Sequence, residues 1–322
     1  MKWIVTSLVT FGLTASASAE DLRLLVSWPT GNPANTMAVQ FQEIVKEVGK
    51  GAINIELVGP DVVPPAQQLQ PVSAGAFDMF LTVGAYHAGE KGLAVVLDGI
   101  APDPAKRRES GVLEFLDTFY QKEHNIKILG VALMGSVGYH CILKESLTPE
   151  GNWAGRKIRG AVTHRDVVEE LGGSLVTLPV AETYAGLERG VVDGSCMPGG
   201  TMESFRLYEV AKYRVEPYYG TVNLIYGINL DKWNSLSEES QAILVEAVEK
   251  TEAVNLAFGD TALAKEREEL EKHGVKVEKM PPALADKVFK TFDDSNWALG
   301  ATCCGDAAAQ MREIAKKAGL AQ

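Results

Sequence analysis

Histidine and cysteine, the side chains that most often carry out catalytic or metal chemistry, are few in this sequence and poorly spaced for it. The five histidines are His87, His124, His140, His164 and His273. No two of them form a His-x-x-x-His or His-Glu-x-x-His pair, and no serine lies in a Gly-x-Ser-x-Gly nucleophile elbow. The sequence therefore predicts a protein that is not an enzyme, and it assigns neither a cofactor nor a metal.

The cysteines indicate an oxidising compartment rather than a reaction. They are even in number, as is usual where disulfides form: Cys141, Cys196, Cys303 and Cys304. Their spacing matches no zinc pattern, and the Cys-x-x-Cys of a redox enzyme is absent. A disulfide between the adjacent Cys303 and Cys304, two thiols there, or bridges elsewhere all remain open. We therefore interpret the cysteines as structural, without assigning their pairing.

The N-terminus has the composition of a secretory signal peptide over residues 1–19. Lys2 supplies a positive charge, residues 3–13 are an apolar run, and Ala17-Ser18-Ala19 is a small-residue cleavage site. The apolar run is too short to span a bilayer, which takes about 20 residues. No later segment approaches the length of a membrane span. The sequence therefore predicts a periplasmic protein that does not insert into the membrane and reaches it only through a partner.

The overall charge excludes a nucleic acid as partner. The formal net charge is −11, and no basic stripe runs along any segment. Such a protein repels polyanions. If it binds a small anion, a local positive charge at the site must outweigh the repulsion from the net negative charge of the protein.

Short apolar strands alternate with amphipathic helices along the chain. The predicted strands cover residues 22–27, 53–58, 77–83, 126–133, 137–143, 157–159, 174–178 and 191–196. The predicted helices cover residues 35–48, 67–74, 165–171 and 182–189, and a longer one begins after the capping Ser237. The first five elements imply a parallel sheet with right-handed crossovers.

Two such α/β units in an exported chain predict two lobes with a ligand cleft between them. We assign residues 20–143 mainly to lobe I and residues 144–230 mainly to lobe II. Residues 231–322 form a helical region that packs across both lobes.

Several motifs in the middle of the chain resemble the DctP-type binding proteins of TRAP transporters. These motifs are GRKIRG at 155–160, LGGS at 171–174, LPVAETYAGL at 178–187 and GVVDG at 190–194. Two further segments are similar to the family, QL at 68–69 followed by AGAFDM at 74–79, and WNSLS at 233–237. No single piece is specific, but their order and spacing are.

The resemblance implies a two-lobed periplasmic binding protein fold with a long helix spanning both lobes, and closure around a ligand. It also implies membrane permease subunits, driven by an ion gradient, as partners. In the family, the arginine that ends the short strand binds the substrate carboxylate, and Arg159 matches it. A guanidinium suits this role because its planar donors fit a carboxylate bidentately and keep their charge.

Two positions depart from the family pattern, and both make the site less cationic and less polar. Where many members have a second arginine this chain has His140, and where acidic-sugar binders often have asparagine it has Met197. We therefore expect a small organic acid with one carboxylate and an apolar, keto or aromatic body. For His140, a role in the core is nearly as plausible as ligand contact.

Further candidates lie where loops converge on the predicted cleft, since aromatic rings and a few polar groups commonly line ligand pockets. The aromatic candidates are Trp28, Tyr86, Tyr139, Tyr218 and Tyr219. The weaker candidates are Asn35, Thr82, Gly138 and Asn223. A binding protein of an ATP-driven importer or of a sensor system is the alternative function, and an exported hydrolase has less support.

Overall fold

The computed structural model describes residues 19–136 and 138–321. The predicted signal peptide, apart from Ala19, lies outside these ranges and stays a prediction. The strands are β1 (Glu20–Val26), β2 (Ile53–Val58), β3 (Met79–Thr82), β4 (Ile126–Leu133), β5 (Tyr139–Leu143), β6 (Lys157–Arg159), β7 (Ser174–Val176), β8 (Gly194–Pro198), β9 (Tyr213–Tyr219), β10 (Asn223–Asn229) and β11 (Lys276–Lys279).

The helices fall between the strands and dominate the C-terminal third. They are α1 (Pro33–Val48), α2 (Leu69–Ser73), α3 (Pro104–Glu109), α4 (Val112–His124), α5 (Arg165–Glu170), α6 (Thr183–Glu188), α7 (Thr201–Ser204), α8 (Leu230–Ser235), α9 (Glu238–Lys272), α10 (Pro282–Cys304) and α11 (Asp306–Lys317). Within the described part of the chain, none of these helices is both long and apolar enough to cross a bilayer.

The first sheet has the strand order β2-β1-β3-β10-β4 and forms the centre of lobe I. Strand β1 pairs in parallel with β2 and β3, which confirms the parallel arrangement predicted for the first five elements. Strand β10 is antiparallel to both β3 and β4, so the sheet as a whole is mixed. Every residue of β10 is buried, so its sequence shows no alternation, and the sequence analysis assigned no strand there.

The second sheet has the order β11-β9-β5-β8-β6-β7 and forms the centre of lobe II. Strand β5 is antiparallel to β8 and β9, whereas β6 is parallel to β7 and β8. Strand β5 therefore belongs to lobe II, although residues 20–143 were assigned to lobe I. Strand β10 returns to lobe I from the stretch assigned to lobe II. The chain thus passes between the two sheets more often than a division into one continuous segment per lobe would require.

Helix α9 is the predicted long helix, and it contacts both lobes. The Ser237 hydroxyl caps it by accepting from the Ser240 N–H at 3.1 Å, and its 35 residues span about 52 Å. On the lobe I side, the Glu252 carboxylate pairs with Arg108 and accepts the Val131 N–H at 3.3 Å. On the lobe II side, Glu266 lies fully buried. The two acids are nearly four turns apart, so they point to the same side of the helix.

The two strand-to-strand crossings between the lobes touch at a pair of glycines. Gly138 precedes β5, and Gly220 follows β9. A Cβ on Gly138 would lie 2.2 Å from the Gly220 carbonyl oxygen, which is far inside contact distance. The absence of a side chain at Gly138 therefore lets the crossings pack against each other. This steric role is separate from the ligand contact expected there, which stays a prediction.

We expect Gly138→Ala to lower the free energy of unfolding by about 1–3 kcal/mol or more, because an added methyl group must displace backbone atoms. Denaturant unfolding followed by circular dichroism measures this change. Gly89→Ala is the matched control, since a Cβ there meets no atom within 4 Å. Equal stability of the two variants would show that the crossings are not closely packed.

Candidate ligand-binding site

Arg159 is a buried cation whose protein partners carry no charge. It ends β6 and is 5 % exposed. Its Nε and Nη2 donate to the Leu178 carbonyl oxygen at 3.1 and 3.0 Å, and its Nη1 lies 3.5 Å from the Cys196 carbonyl oxygen. Over residues 19–136 and 138–321, no carboxylate lies within ion-pair distance of this guanidinium. Burial lowers the pKa of Arg159, and Tyr86 partly opposes the shift.

The hydrogen bonds of Arg159 leave free the donors that a carboxylate needs. A guanidinium has five N–H donors, and the contacts to Leu178 and Cys196 use three of them. One N–H remains on each of Nη1 and Nη2. Two parallel donors on neighbouring nitrogens match the two oxygens of one carboxylate. The protein therefore orients Arg159 while leaving its terminal fork available.

A second buried arginine shows the contrast. Arg107 is 2 % exposed, and it donates to the Asn223 side-chain oxygen and to three carbonyl oxygens. Burial lowers its pKa to about 10, and the negative charges of Asp98 and Asp103 oppose the shift. Carboxylates of the protein thus compensate Arg107. Among the described residues, no carboxylate acts on Arg159 in this way.

Two of the predicted aromatic residues lie on the lobe I side of Arg159. Trp28 and Tyr86 follow β1 and β3, and their ring centroids are 6.2 Å apart. Burial raises the pKa of the Tyr86 hydroxyl, and the charge of Arg159 opposes this rise. The Asn35 side-chain amide donates to the Trp28 carbonyl oxygen at 3.1 Å. Asn35 therefore holds the loop that carries Trp28. Tyr86 is near enough to Arg159 for their charges to interact, and Trp28 neighbours Tyr86.

Two further predicted aromatic residues, Tyr139 and Tyr219, form a packed layer with Phe292 around a histidine. The rings of Tyr139, Tyr219 and Phe292 surround His164, with centroid distances to it of 4.5, 5.8 and 5.9 Å. The Tyr139 hydroxyl donates to Asp98 at 2.8 Å, and the Tyr219 hydroxyl lies 3.1 Å from His164 Nδ1. His164 was not among the predicted site residues because no sequence pattern marks it.

His140 and Met197, the two departures from the family pattern, both lie within lobe II. His140 Nε2 is 3.0 Å from the Glu266 carboxylate, a close polar contact that is not aligned as a hydrogen bond. The His140 ring also stacks on Tyr218 at 4.6 Å. Met197 is fully buried in a cluster with Ile142. His140 thus has a protein partner, and its contact with ligand, like that of Tyr218 and Met197, stays a prediction.

Glu266 was missed by the sequence analysis. The stretch from Lys265 to Lys272 is rich in charge, a pattern typical of a solvated face, yet Glu266 and Leu270 within it are buried. The Glu266 carboxylate accepts the backbone N–H groups of Gly200 at 3.1 Å and of Met202 at 2.5 Å. Burial by itself would raise its pKa, but His140 and these amides outweigh burial and lower it.

The weaker polar candidates bind other parts of the protein. The Thr82 hydroxyl lies 2.9 Å from both Ser27 Oγ and His87 Nε2. The Asn223 amide donates to Asp98 at 2.7 Å and accepts from Arg107. Both side chains are buried in networks of lobe I, so their hydrogen-bonding capacity is largely taken up there.

The cysteines form two disulfides, which resolves the pairing left open by the sequence. Cys141 pairs with Cys196 and thereby joins β5 to β8, and Cys303 pairs with Cys304 at the end of α10. The first bridge adjoins the candidate site, because the Cys196 carbonyl oxygen faces Arg159 and the Cys141 sulfur is 3.6 Å from the Tyr219 hydroxyl.

A separate surface pocket of about 510 Å³ lies between α10, α11 and the second crossing. Its walls include Asp98, Thr221, Lys290, Trp297 and Lys316, but not Arg159. The pocket touches the site only indirectly, through the hydrogen bond of Asp98 to Tyr139. We therefore place the candidate site at Arg159, where the uncompensated charge lies.

Comparison with known proteins decides the family. The sequence pattern of one family, described as bacterial extracellular solute-binding protein, family 7 (DctP), matches residues 26–295. The chain belongs to this family. Family members are extracytoplasmic solute-binding proteins of transporters rather than enzymes. The resemblance seen in the motifs around Arg159 is thereby confirmed.

The fold is shared with solved members of the family. A TRAP solute-binding protein from Bordetella bronchiseptica, with copurified calcium and picolinate, superimposes with a TM-score of 0.81 at 21 % identity and covers 93 % of this chain and 91 % of its own. One from Desulfovibrio salexigens, with orotic acid, gives 0.79 at 19 % identity and covers 92 % and 98 %. The predicted two-lobed architecture is therefore confirmed.

A curated relative is the 2,3-diketo-L-gulonate-binding periplasmic protein YiaO of Escherichia coli. It is 24 % identical over 245 residues, covering 74 % of this chain and 74 % of its own. A protein of Haemophilus influenzae is 26 % identical over 301 residues, covering 87 % and 89 %. The similarity extends across both lobes in each case.

We expect Glu266→Ala to lower the free energy of unfolding by about 3–5 kcal/mol, because it leaves His140 and three backbone amides, those of Gly200, Met202 and Glu203, without their partner. Since the folded state lowers the pKa of Glu266, its contribution is present at neutral pH and is lost as the pH falls through that pKa. Denaturant unfolding at neutral and acidic pH measures both effects.

The matched control for this change is Glu268→Ala, on the exposed side of the same helix. It should change the free energy of unfolding by no more than about 0.5 kcal/mol. A loss for Glu266→Ala that is equally small, or that grows in acid, would contradict a buried anionic carboxylate at this position.

Proposed function

We propose that the chain is the extracytoplasmic solute-binding subunit of a TRAP-type transporter and that Arg159 binds the carboxylate of a small organic acid. The observation that carries the proposal is the buried guanidinium of Arg159, which has no carboxylate within ion-pair distance among residues 19–136 and 138–321. Removing a charge from water without a partner costs several kcal/mol, so such a site favours an anionic ligand. The fork of donors left on Nη1 and Nη2 defines the ligand group as a carboxylate.

The charge balance around Arg159 favours a ligand with one carboxylate. The nearby His164 is neutral, because burial and then the charge of Arg159 lower its pKa to about 3. His140 faces Glu266, so this pair offers no net positive charge to a ligand. The charge balance of the described residues therefore supports a ligand with one carboxylate. This argument is independent of the replacement of a family arginine by His140.

The aromatic residues near Arg159 support an apolar or aromatic ligand body. Trp28 and Tyr86 lie on the lobe I side, and the layer of Tyr139, Tyr219 and Phe292 lies around His164. Among structural neighbours, the ligands range from picolinate and orotic acid to malonate in a protein from Rhodoferax ferrireducens. Because ligands vary this much on one fold, the side chains of this site, not the fold, decide the ligand.

Delivery of the solute requires membrane permease subunits as partners. Removal of residues 1–19 on export would leave a protein that begins near Glu20 in the periplasm. Copurification of the exported protein with the small and large permease subunits tests the partnership. An ATP-binding transporter subunit as the only binding partner would contradict it.

We expect Arg159→Ala to weaken ligand binding by about 100-fold or more, since charged hydrogen bonds contribute about 1.5–3 kcal/mol each. Arg159→Lys should recover only part of this loss, because an ammonium cannot donate two parallel bonds. The probe is the small molecule released by denaturing the purified protein and identified by mass spectrometry. Isothermal titration calorimetry then gives its affinity.

The matched control is Arg165→Ala, which removes an exposed arginine whose side chain retains 52 % of its surface. This variant should bind like the parent. An Arg159→Ala protein that is folded, as judged by circular dichroism, and that binds as tightly as the parent would refute the proposed anchor.

A further inference from the structure

His164 lies five residues after Arg159, close to the end of the strand that carries it. It ends the turn Val162–His164 that follows β6, and it is 1 % exposed. Its ring edge lies over Gly160, because a Cβ on that glycine would be 3.0 Å from His164 Cδ2. His164 Cβ would be nearly as close, at 3.1 Å, so the base of the ring packs on Gly160, the residue that follows Arg159. The charge of Arg159 also acts on this ring.

The contacts of Tyr219 fix which nitrogen of His164 carries the proton. The Tyr219 hydroxyl has one hydrogen and two neighbours, His164 Nδ1 at 3.1 Å and Cys141 Sγ at 3.6 Å. Cys141 is in a disulfide, so its sulfur has no hydrogen and accepts only weakly. An imidazole nitrogen is the stronger acceptor, so the hydroxyl donates to Nδ1. The proton of the neutral ring is then on Nε2.

The aromatic layer holds this ring in one orientation. Tyr139 packs edge-on against it at 83°, and Phe292 lies nearly parallel to it at 28°. The Nδ1 of His164 has the Tyr219 hydroxyl as its partner. None of the described residues forms a hydrogen bond with Nε2. The turn that follows β6 therefore holds a fixed, neutral donor that none of the described residues uses.

We infer that His164 is a second, uncharged recognition group, and that the ligand carries a hydrogen-bond acceptor next to its carboxylate. The inference rests on the proposed function, since Arg159 supplies the carboxylate contact. Two chemical classes have this pattern: 2-oxo acids, and heteroaromatic acids with a ring nitrogen beside the carboxylate. His164 thereby distinguishes ligands that Arg159 binds equally well.

Matched pairs of acids test this selectivity by titration calorimetry. The probes are 2-oxobutanoate against butanoate and picolinate against benzoate, in which only the first member has the acceptor. Pyrrole-2-carboxylate, which has a donor at that position, is the opposite case. In the parent protein we expect the acceptor-bearing acid of at least one pair to bind about tenfold more tightly than its partner, as one hydrogen bond allows. Pyrrole-2-carboxylate should bind no better than benzoate.

Three variants assign the selectivity to the proposed atoms. His164→Phe should make the two members of each pair bind equally while retaining the carboxylate contact, and His164→Gln, which keeps a donor, should recover part of the difference. Tyr219→Phe frees Nδ1 to carry the proton, so pyrrole-2-carboxylate should gain relative to picolinate. His273→Phe is the matched control, because it replaces an exposed histidine by phenylalanine, and it should leave all affinities unchanged. Circular dichroism confirms that each variant is folded.

The outcomes separate this inference from the function on which it rests. Equal binding within both pairs in the parent, or an unchanged preference in His164→Phe, overturns the role of His164 and leaves Arg159 untouched. Failure of all five acids to bind overturns the assigned ligand class. In that case the copurified ligand and Arg159→Ala still decide whether a carboxylate anchor exists.

Discussion

The interaction on which this structure depends is a buried positive charge that the protein orients but does not neutralise. Taking a guanidinium out of water is costly, and main-chain carbonyl oxygens recover only part of the cost. Arg107 shows that this chain compensates a buried arginine with acids where the role is structural. At Arg159 the carbonyl oxygens of Leu178 and Cys196 set the direction of the fork, and we propose that the solute supplies the counter-charge. Stability and selectivity are therefore in opposition at this residue, as is common in binding sites.

The remaining architecture brings the two lobes to this charge. Trp28 and Tyr86 come from loops of the first sheet, whereas Arg159 and His164 come from the end of one strand of the second. Helix α9 connects the sheets through buried acids, Glu252 toward β4 and Glu266 toward α7. Because these contacts are charged and buried, sliding of the helix against either lobe would break them.

The sequence predicted much of this structure because its signals are local. Parallel strands between helices, the cap at Ser237 and the ordered motifs around Arg159 each lie within a few neighbouring residues. Strand β10 was missed because it is buried on both faces, so its pattern does not alternate. The buried Glu266 and His164 were missed because their partners are distant in the chain, at positions such as Gly200 and Tyr219, where only the folded topology brings them together. The pairing of Cys141 with Cys196 was left open for the same reason.

The most direct measurement is a crystal structure of the protein purified with its own solute. The account predicts a carboxylate with its two oxygens about 2.7–2.9 Å from Nη1 and Nη2 of Arg159, while Leu178 keeps its bonds to the other side of the guanidinium. A solute bound elsewhere, or an Arg159 paired with an acid of the protein in the occupied state, would contradict the account.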